Sequence, residues 1–285
     1  MSQPAATLRE FALRVLEQGD LEAKLAGPFD GAGELLPDLA PGPARVFTRP
    51  ARAPELEMRA GAERLPRPGE LGDPAARAAC LRRFAHHELM AVELFAFALL
   101  AWPDAPAELR RGFARALADE QRHCRMYLER LAAHGGRLGD EPLSDYFWKH
   151  AAAIAAHPRG PAAFLAALGL TLEQAHLDVT LLYAEGFRRA GDQESARVAE
   201  VVHADEQQHV RLAAEWLPRL VPAGEDEIGA YTASVPFPLE AARAKGRRFD
   251  AAARRAAGLS EAFIEHVRQA RATQEHRPRR GDSDE

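Results

Sequence analysis

The sequence contains little cysteine and no strong excess of charge of either sign. Its two cysteines, Cys80 and Cys124, are too few for a disulfide framework, so we expect reduced thiols and a cytoplasmic location. The formal net charge of −5 over 285 residues lacks the overall basic field that attracts nucleic acid or membrane surfaces. Nucleic-acid-binding proteins that depend on a globally basic surface are therefore disfavoured.

Long hydrophobic runs and several diagnostic motifs are also absent. The longest apolar stretch, residues 89–102, is interrupted by Glu93 and is too short to cross a bilayer. The N-terminus has no charged segment followed by an apolar stretch, so we predict neither a signal peptide nor a membrane partner. We find no Gly-rich nucleotide loop, no Cys-x-x-Cys and no His-Glu-x-x-His.

Proline, glycine and helix-forming residues indicate how the chain is organised. Four long helical stretches end at Pro or Gly, and their length of about 25–30 residues is far above the usual mean. They predict an all-α protein built on a four-helix bundle, with helices over 73–102, 105–136, 161–190 and 192–217. The predicted regions are an N-terminal helix with a Pro/Arg-rich wrapping arm (1–72), the bundle (73–220), a C-terminal helical extension (221–272) and a disordered tail (273–285). Within the extension, we expect an irregular stretch after Pro222, followed by one or two helices over about 239–256 and 260–272.

A repeated hexapeptide is the most informative feature that is present. The sequence Ala-Asp-Glu-Gln-Arg-His at 118–123 returns as Ala-Asp-Glu-Gln-Gln-His at 204–209. Each copy carries Glu and His three residues apart, which places both side chains on one face of a helix. Composition alone predicts about one Glu-x-x-His in such a chain, but it does not explain the repeated flanking residues.

The residues upstream repeat as well. Glu88 precedes Glu120 by almost the same spacing as Glu173 precedes Glu206. All these residues fall within mostly apolar helical stripes, where unpaired Glu and His would each be unfavourable by several kcal/mol. Two divalent cations would balance the four carboxylates. The predicted metal ligands are Glu88, Glu120, His123, Glu173, Glu206 and His209. The alternative for these residues is a buried Glu–His hydrogen-bond network.

Six further residues are candidates for an additional ligand or for contacts that support the ligands. His176 and His203 each lie three residues from a predicted ligand, although a packed or hydrogen-bonded histidine is the simpler interpretation. Asp119 and Asp205 precede the ligand glutamates. We predict that Asp205 orients His123 and that Asp119 orients His209, with a solvated surface acid as the alternative. Glu93 and Asp178, each five residues after an upstream glutamate, complete this group.

These residues resemble the ferritin-like superfamily of non-haem diiron proteins, which includes rubrerythrins, ribonucleotide reductase small subunits and carboxylate-bridged oxygenases. In such bundles one Glu comes from each of two helices and Glu-x-x-His from each of the other two. The resemblance covers about residues 73–220. It implies two iron ions, Fe²⁺ or Fe³⁺, and manganese is the alternative metal.

A narrower resemblance covers nearly the whole chain. It rests on the arm, on the sequence His-His-Glu-Leu-Met-Ala-Val-Glu-Leu at 86–94 and on Pro-Phe-Pro at 236–238, followed by Ala-Ala-Arg-Ala-Lys-Gly at 241–246. These features are similar to a bacterial ferritin-like family with a domain of unknown function. That family is in turn similar to tRNA hydroxylases that act on an isopentenyl-type adenosine modification.

The resulting expectation is an O₂-activating diiron oxygenase or hydroxylase of unknown substrate. Its partners would be O₂, that substrate and an external electron donor, since no motif here binds flavin or nicotinamide. The alternatives are iron handling or peroxide reduction, and tRNA hydroxylation. RNA is a candidate partner because arginines recur in the arm and at 243–255, but solvated helix faces explain them more simply. A dimer is consistent with the sequence, which does not determine the oligomeric state.

Overall fold

The protein is predominantly helical. A computed structural model describes residues 5–61 and 64–273. All of the predicted disordered tail except Thr273 lies outside these residues. The α-helices are α1 (Leu8–Glu17), α2 (Leu21–Leu25), α3 (Pro74–Ala101), α4 (Ala107–Ala133), α5 (Ala151–Ala155), α6 (Pro161–Phe164), α7 (Gln174–Arg189), α8 (Gln193–Leu220), α9 (Glu227–Ser234), α10 (Ala251–Ala256) and α11 (Glu261–Gln269).

Shorter elements connect these helices. A π-helical segment, Leu165–Glu173, joins α6 to α7. Two short strands, β1 (Met58–Arg59) and β2 (Leu143–Ser144), pair in parallel and attach the N-terminal segment to the loop after α4. Single turns of 3₁₀-helix occur at Pro54–Leu56, Pro68–Glu70, Leu138–Asp140, Trp148–His150 and Ala241–Arg243.

The first two long helices confirm the sequence-based boundaries. Asp73 caps α3 by accepting a hydrogen bond from the Ala75 amide, and Pro74 occupies the first helical position. Helix α4 ends at Ala133, where Gly135 takes a positive φ of 76°. Glycine tolerates that conformation because it has no Cβ, and the chain can therefore turn sharply after the helix.

The other long helices differ in detail from their predictions. The predicted helix over 161–190 is helical throughout, but its middle is the π-helical segment rather than α-helix. Helix α8 was expected to end before Pro218. It continues through Pro218 to Leu220, so that prediction was wrong. Proline in the last turn removes one backbone hydrogen bond near the helix end, where the helix is already about to stop.

The C-terminal extension departs furthest from its predicted helices. A single helix over 239–256 was expected. The structure instead has one 3₁₀ turn, a loop and the short helix α10. Helix α9 lies in a stretch that was expected to be irregular. Backbone amides of the loop bind a buried carboxylate on α7, and this tertiary contact replaces the helical hydrogen bonds.

The long helices pack as two pairs. Helix α3 packs against α4, α7 packs against α8, and α4 and α8 join the pairs. The buried apolar side chains form two hydrophobic clusters towards opposite ends of these helices. On α4, for example, Leu117 belongs to one cluster and Cys124 to the other. The predicted metal ligands Glu120 and His123 lie between them, so a polar layer interrupts the apolar core.

Helix α3 is the only described helix that is long and apolar enough to be considered as a membrane span. Within its most hydrophobic window of 18 residues, 94% is buried inside the protein. The helix contacts α1 on one side and α4 on another. Its hydrophobicity is therefore accounted for by its position in the core, as in soluble proteins.

Candidate metal centre

Four helical segments bring the six predicted ligands together. Glu88 lies on α3, and Glu120 and His123 lie on α4. The π-helical segment ends with Glu173, and α8 carries the second Glu-x-x-His pair, Glu206 and His209. Their ligand atoms form two overlapping groups, and within each group all atoms lie within 4.8 Å of one another. We call these six residues the Glu/His cluster.

The two groups share two carboxylates. One group consists of Glu88, His123 and the shared pair Glu120 and Glu206. The other consists of Glu173, His209 and the same shared pair. Glutamates that belong to both groups can bridge two metal ions, whereas the remaining Glu and His of each group can bind only one. Each position therefore has four candidate ligands of mixed oxygen and nitrogen type, a set that suits a first-row transition metal.

Burial and hydrogen bonding show that the cluster fits a cation. No ligand side chain is more than slightly exposed, and Glu120 and Glu206 are fully buried. Several ligand atoms lack a partner in hydrogen-bonding geometry among the described residues: both oxygens of Glu120 and of Glu173, one oxygen of Glu206, and the Nδ1 atoms of His123 and His209. His209 Nδ1 nevertheless lies 3.0 Å from Glu120 and 3.4 Å from Glu206, so these atoms face one another across the cluster. Buried polar atoms are rarely left unsatisfied. Cations bound here would satisfy these atoms.

The shifted pKa values of the cluster residues also indicate that its carboxylates need positive charge nearby. Burial, followed by the charges of Glu120 and Glu206, raises the pKa of Glu88 well above its usual range. Burial likewise raises the pKa of Glu173. Burial alone would lower the pKa of His123, but nearby carboxylates, first that of Asp205, raise it to about 9. Without a metal, protons must therefore balance the carboxylates.

Each histidine of the cluster contacts an aspartate of the other repeat. His123 Nε2 lies 3.1 Å from Asp205, and His209 Nε2 lies 3.4 Å from Asp119. Arg122 binds both aspartates at 3.0 Å or less and fixes their position at the surface. These contacts turn the Nδ1 atoms of both histidines towards the glutamates. Such outer contacts hold a metal-binding imidazole in one tautomer and orientation.

The two additional histidines have different positions. His176 Nδ1 lies 3.0 Å from Glu206 Oε1, so it contacts the cluster through a shared carboxylate. His203 Nδ1 lies 3.1 Å from the Thr180 hydroxyl, and its Nε2 lies 3.7 Å from Asp250 in the C-terminal extension. The structure thus places His176 beside the Glu/His cluster and His203 at the contact between α8 and the extension.

Glu93 pairs with cations of the N-terminal segment and not with residues of the Glu/His cluster. Its carboxylate lies 3.0 Å from Lys24 Nζ and accepts two hydrogen bonds from Arg52 and one from the Trp148 indole. Arg52 also lies 2.9 Å from His86. Glu93 and Lys24 are fully buried. This ion cluster attaches the N-terminal segment to α3, which differs from the role beside the metal considered for Glu93.

Asp178 occupies the equivalent position in the second repeat and binds the C-terminal extension. Its carboxylate accepts hydrogen bonds from the backbone amides of Gly246 and Asp250 and forms a fully buried ion pair with Arg254 at 2.7 Å. A Cβ on Gly246 would lie 2.9 Å from Asp178 Cβ, so only glycine allows this approach. Glu93 and Asp178, which occupy equivalent positions in the two repeats, therefore each attach a flanking segment to a long helix.

Sequence reasoning missed the partners of these acids and the π-helical segment. Lys24, Arg52 and Arg254 are distant from Glu93 and Asp178 along the chain, and no periodic pattern connects them. Gly169 was a usable signal for close helix packing, because a Cβ there would lie 2.4 Å from the Ala213 Cβ. The π-helical segment ends at Glu173 and thus sets the position of that ligand.

A comparison with protein families places the chain in a group defined by sequence. A family model described as "Protein of unknown function (DUF455)" matches residues 15–265. The chain belongs to this family. No curated protein and no solved structure matches the chain.

The family match extends well beyond the four long helices. It includes Lys24 and Arg52 in the N-terminal segment and Arg254 in the extension, together with all six residues of the Glu/His cluster. The buried ion clusters around Glu93 and Asp178 therefore both lie within the region that the family model matches. Because the family description assigns no activity, function must be inferred from the cluster itself.

Proposed function

We propose that the chain is a ferritin-like four-helix protein that holds two iron ions and uses them, with O₂, to oxidise an unidentified substrate. The observation that carries the proposal is the pair of overlapping ligand groups with two shared carboxylates. The ligand pattern, one Glu from each of two helices and Glu-x-x-His from each of the other two, is that of carboxylate-bridged diiron bundles. Manganese would fit the same oxygen and nitrogen atoms.

In this proposal the side chains balance charge and set geometry. Four glutamates carry a charge of −4, which two divalent cations neutralise. The Asp205 and Asp119 contacts orient His123 and His209, so each histidine would hold a metal through Nδ1. When bound, the two irons would supply the redox chemistry and the binding positions for O₂. The surrounding apolar clusters would limit the access of water.

The flanking segments favour an enzyme over a protein that only stores iron. A storage function needs little beyond the helices, whereas here two buried ion clusters attach the N-terminal segment and the extension to the outside of the bundle. These attachments favour an enclosed site that admits selected molecules. We further propose a cytoplasmic protein that receives electrons from an external donor, consistent with two buried free cysteines.

The test is O₂ consumption by protein loaded anaerobically with ferrous iron. We expect rapid uptake of O₂ by the loaded protein and a rate at least about tenfold lower for Glu206→Gln, because that change removes one shared carboxylate. Glu185→Gln, an exposed change on α7, is the control and should behave as the unchanged protein. Loaded protein that consumes O₂ no faster than free ferrous iron would contradict the proposal.

The same samples distinguish the alternative of peroxide reduction. Hydrogen peroxide is supplied in place of O₂, and its removal is measured with a reducing dye as electron donor. An oxygenase should show O₂ uptake well above its peroxide removal. The reverse order would favour peroxide handling at the same metal centre.

A further inference from the structure

The Glu/His cluster approaches solvent on the side of His176. The side chain of His176 is 12% exposed, whereas those of Glu206, Glu120 and His209 are each exposed by 3% or less. His176 lies 3.0 Å from Glu206, a shared carboxylate. A molecule that reaches His176 from outside therefore comes within one side chain of the proposed metals.

On another side of the cluster, ion pairs cover the two histidines. There Asp119 and Asp205 contact the two histidines, and Arg122 bridges both acids at the surface between α4 and α8. Opening this side would break ion pairs that orient the histidines. On the His176 side the outer contacts are between flat rings, which can separate while His176 keeps its contact with Glu206.

A continuous series of rings leads outward from His176. The His87 ring stacks on His176 with centroids 6.2 Å apart and on Phe147 with centroids 5.3 Å apart. Phe147 is followed by Tyr146 at 5.6 Å. His87, His176 and Tyr146 are each partly accessible to solvent. Stacked and tilted rings of this kind provide favourable surfaces for another planar group.

The outer end of the series carries two cations. Lys149 Nζ lies 4.5 Å from the centre of the Tyr146 ring, and Arg243 Nη1 lies 3.4 Å from the Tyr146 hydroxyl. Asp145, which precedes Tyr146 in the sequence, lies 3.5 Å from Arg49 and so has a cation of its own. Lys149 thus lies over the Tyr146 ring and Arg243 lies at its hydroxyl group, and no ion pair with an acid is present for either cation within residues 5–61 and 64–273.

Beside Tyr146, in the described part of the chain, lies a buried histidine with one unpaired ring nitrogen. His150 is 4% exposed, and its ring centroid is 6.4 Å from that of Tyr146. Among the described residues nothing forms a hydrogen bond with His150 Nε2. Buried polar atoms in native proteins usually have a hydrogen-bond partner, and a bound ligand can supply one here.

We propose that this face admits a planar substrate that carries a carboxylate or phosphate group. Its flat part would stack on His87 and Phe147, and its anionic group would lie against Lys149 and Arg243. The opposite edge would then point to His176 and the cluster, where bound iron would oxidise it with O₂ as the oxidant and electrons from the external donor. The inference rests on the proposed function, because it names the class of molecule that the same site oxidises.

The test measures the binding of two probes of equal shape and different charge. These are 1-naphthoate and the neutral 1-naphthamide, titrated calorimetrically into metal-loaded protein. We expect naphthoate to bind at least about tenfold more tightly, because charge-assisted hydrogen bonds require the anion. Lys149→Gln and Arg243→Gln should each weaken naphthoate binding about threefold to tenfold and leave naphthamide unchanged. Titration with 1-naphthyl phosphate determines which of the two anionic groups is preferred.

Arg219→Gln is the matched control. Arg219 also lies over an aromatic ring, with its guanidinium 4.9 Å from the centre of Trp216, but it is near the far end of α8. Its replacement should leave naphthoate binding unchanged. Equal binding of both probes, undetectable binding of naphthoate, or variants of Lys149 and Arg243 that behave like Arg219→Gln would overturn the proposal. If naphthoate instead ligated the metal directly, its binding would be unchanged by both substitutions, and that outcome would also overturn the proposal.

Metal content is measured on the same samples. Lys149 and Arg243 contact none of the six cluster residues in the described structure, so all variants should retain the metal content of the unchanged protein. Absence of metal would contradict the proposed function alone. Loss of the preference for the anion in fully loaded protein would contradict the substrate class alone.

Discussion

At the residue scale, both histidines of the cluster have one ring nitrogen facing the glutamates and the other facing an aspartate. This arrangement fixes the tautomer that can bind a metal. The role of each aspartate therefore differs from that of an ordinary surface acid, although Asp119 and Asp205 are both partly exposed. Their contribution should appear in metal affinity more than in folding.

Replacement of Asp205 tests this role. Asp205→Ala removes the contact at 3.1 Å with His123 and should weaken metal binding about 10-fold to 100-fold, measured by competition with a chelator. Glu200→Ala, an exposed change on the same helix, is the control. Equal affinities of these two variants would show that Asp205 is only a solvated acid.

His150 gives a prediction for the dependence of stability on pH. Burial, followed by the charges of Lys149 and Arg243, lowers the pKa of His150 from 6.5 to about 4. Between these values the unfolded chain binds a proton that the native protein does not bind. His150 should therefore reduce native stability as pH falls through this window. The urea midpoint of His150→Gln should fall less between pH 7 and pH 4.5 than that of the unchanged protein. Equal falls would contradict the prediction.

At the element scale, two acids at equivalent positions of the repeats anchor the flanking segments. Glu93 on α3 binds Lys24 and Arg52 of the N-terminal segment, and Asp178 on α7 binds Arg254 of the extension. The sequence repeat indicated that both acids were equivalent. It did not indicate their partners, because contacts between distant parts of the chain leave no periodic pattern.

Substitution of Glu93 should lower the free energy of unfolding more than substitution of its partner Lys24. Glu93→Gln leaves Lys24 and Arg52 buried without a counter-charge and should lower the free energy of unfolding by about 3–5 kcal/mol. Lys24→Met should have a smaller effect, because Glu93 keeps Arg52 and burial already lowers the pKa of Lys24. Urea unfolding monitored by circular dichroism measures both. A larger loss for Lys24→Met would contradict the assignment of Glu93 as the centre of the anchor.

The π-helical segment depends on close packing against α8. Gly169→Ala would place a Cβ 2.4 Å from the Ala213 Cβ, and neither atom can move without its backbone. We expect a loss of about 1–3 kcal/mol in the free energy of unfolding. Gly112→Ala is the matched control, because its new Cβ would meet only the flexible end of Leu212. Similar unfolding midpoints for the two variants would show that the close approach to α8 does not restrict the side chain at position 169.

Helix boundaries illustrate what local sequence determines. Asp73-Pro74 and Gly135 mark the ends of α3 and α4 correctly because caps and turns depend on adjacent residues. The loop before α10 was predicted as helix because its own residues favour helix. Buried Asp178 binds the amides of Gly246 and Asp250 and overrides that preference.

At the scale of the whole molecule, the Glu/His cluster forms a polar layer between two hydrophobic clusters. The six candidate ligands could be identified from the repeat, since helical spacing determines which residues share a face. Which carboxylates are shared could not be identified, because that depends on how four helices approach one another. The spatial arrangement singles out Glu120 and Glu206.

The most direct measurement is the metal content of anaerobically purified protein after ferrous reconstitution, by inductively coupled plasma mass spectrometry. We predict two metal ions per chain for the unchanged protein. Glu120→Gln should lose both ions because Glu120 belongs to both ligand groups, and Glu173→Gln should retain one because Glu173 belongs to one group. The absence of stoichiometric metal in the unchanged protein would contradict a metal centre and leave a buried network of carboxylates and histidines.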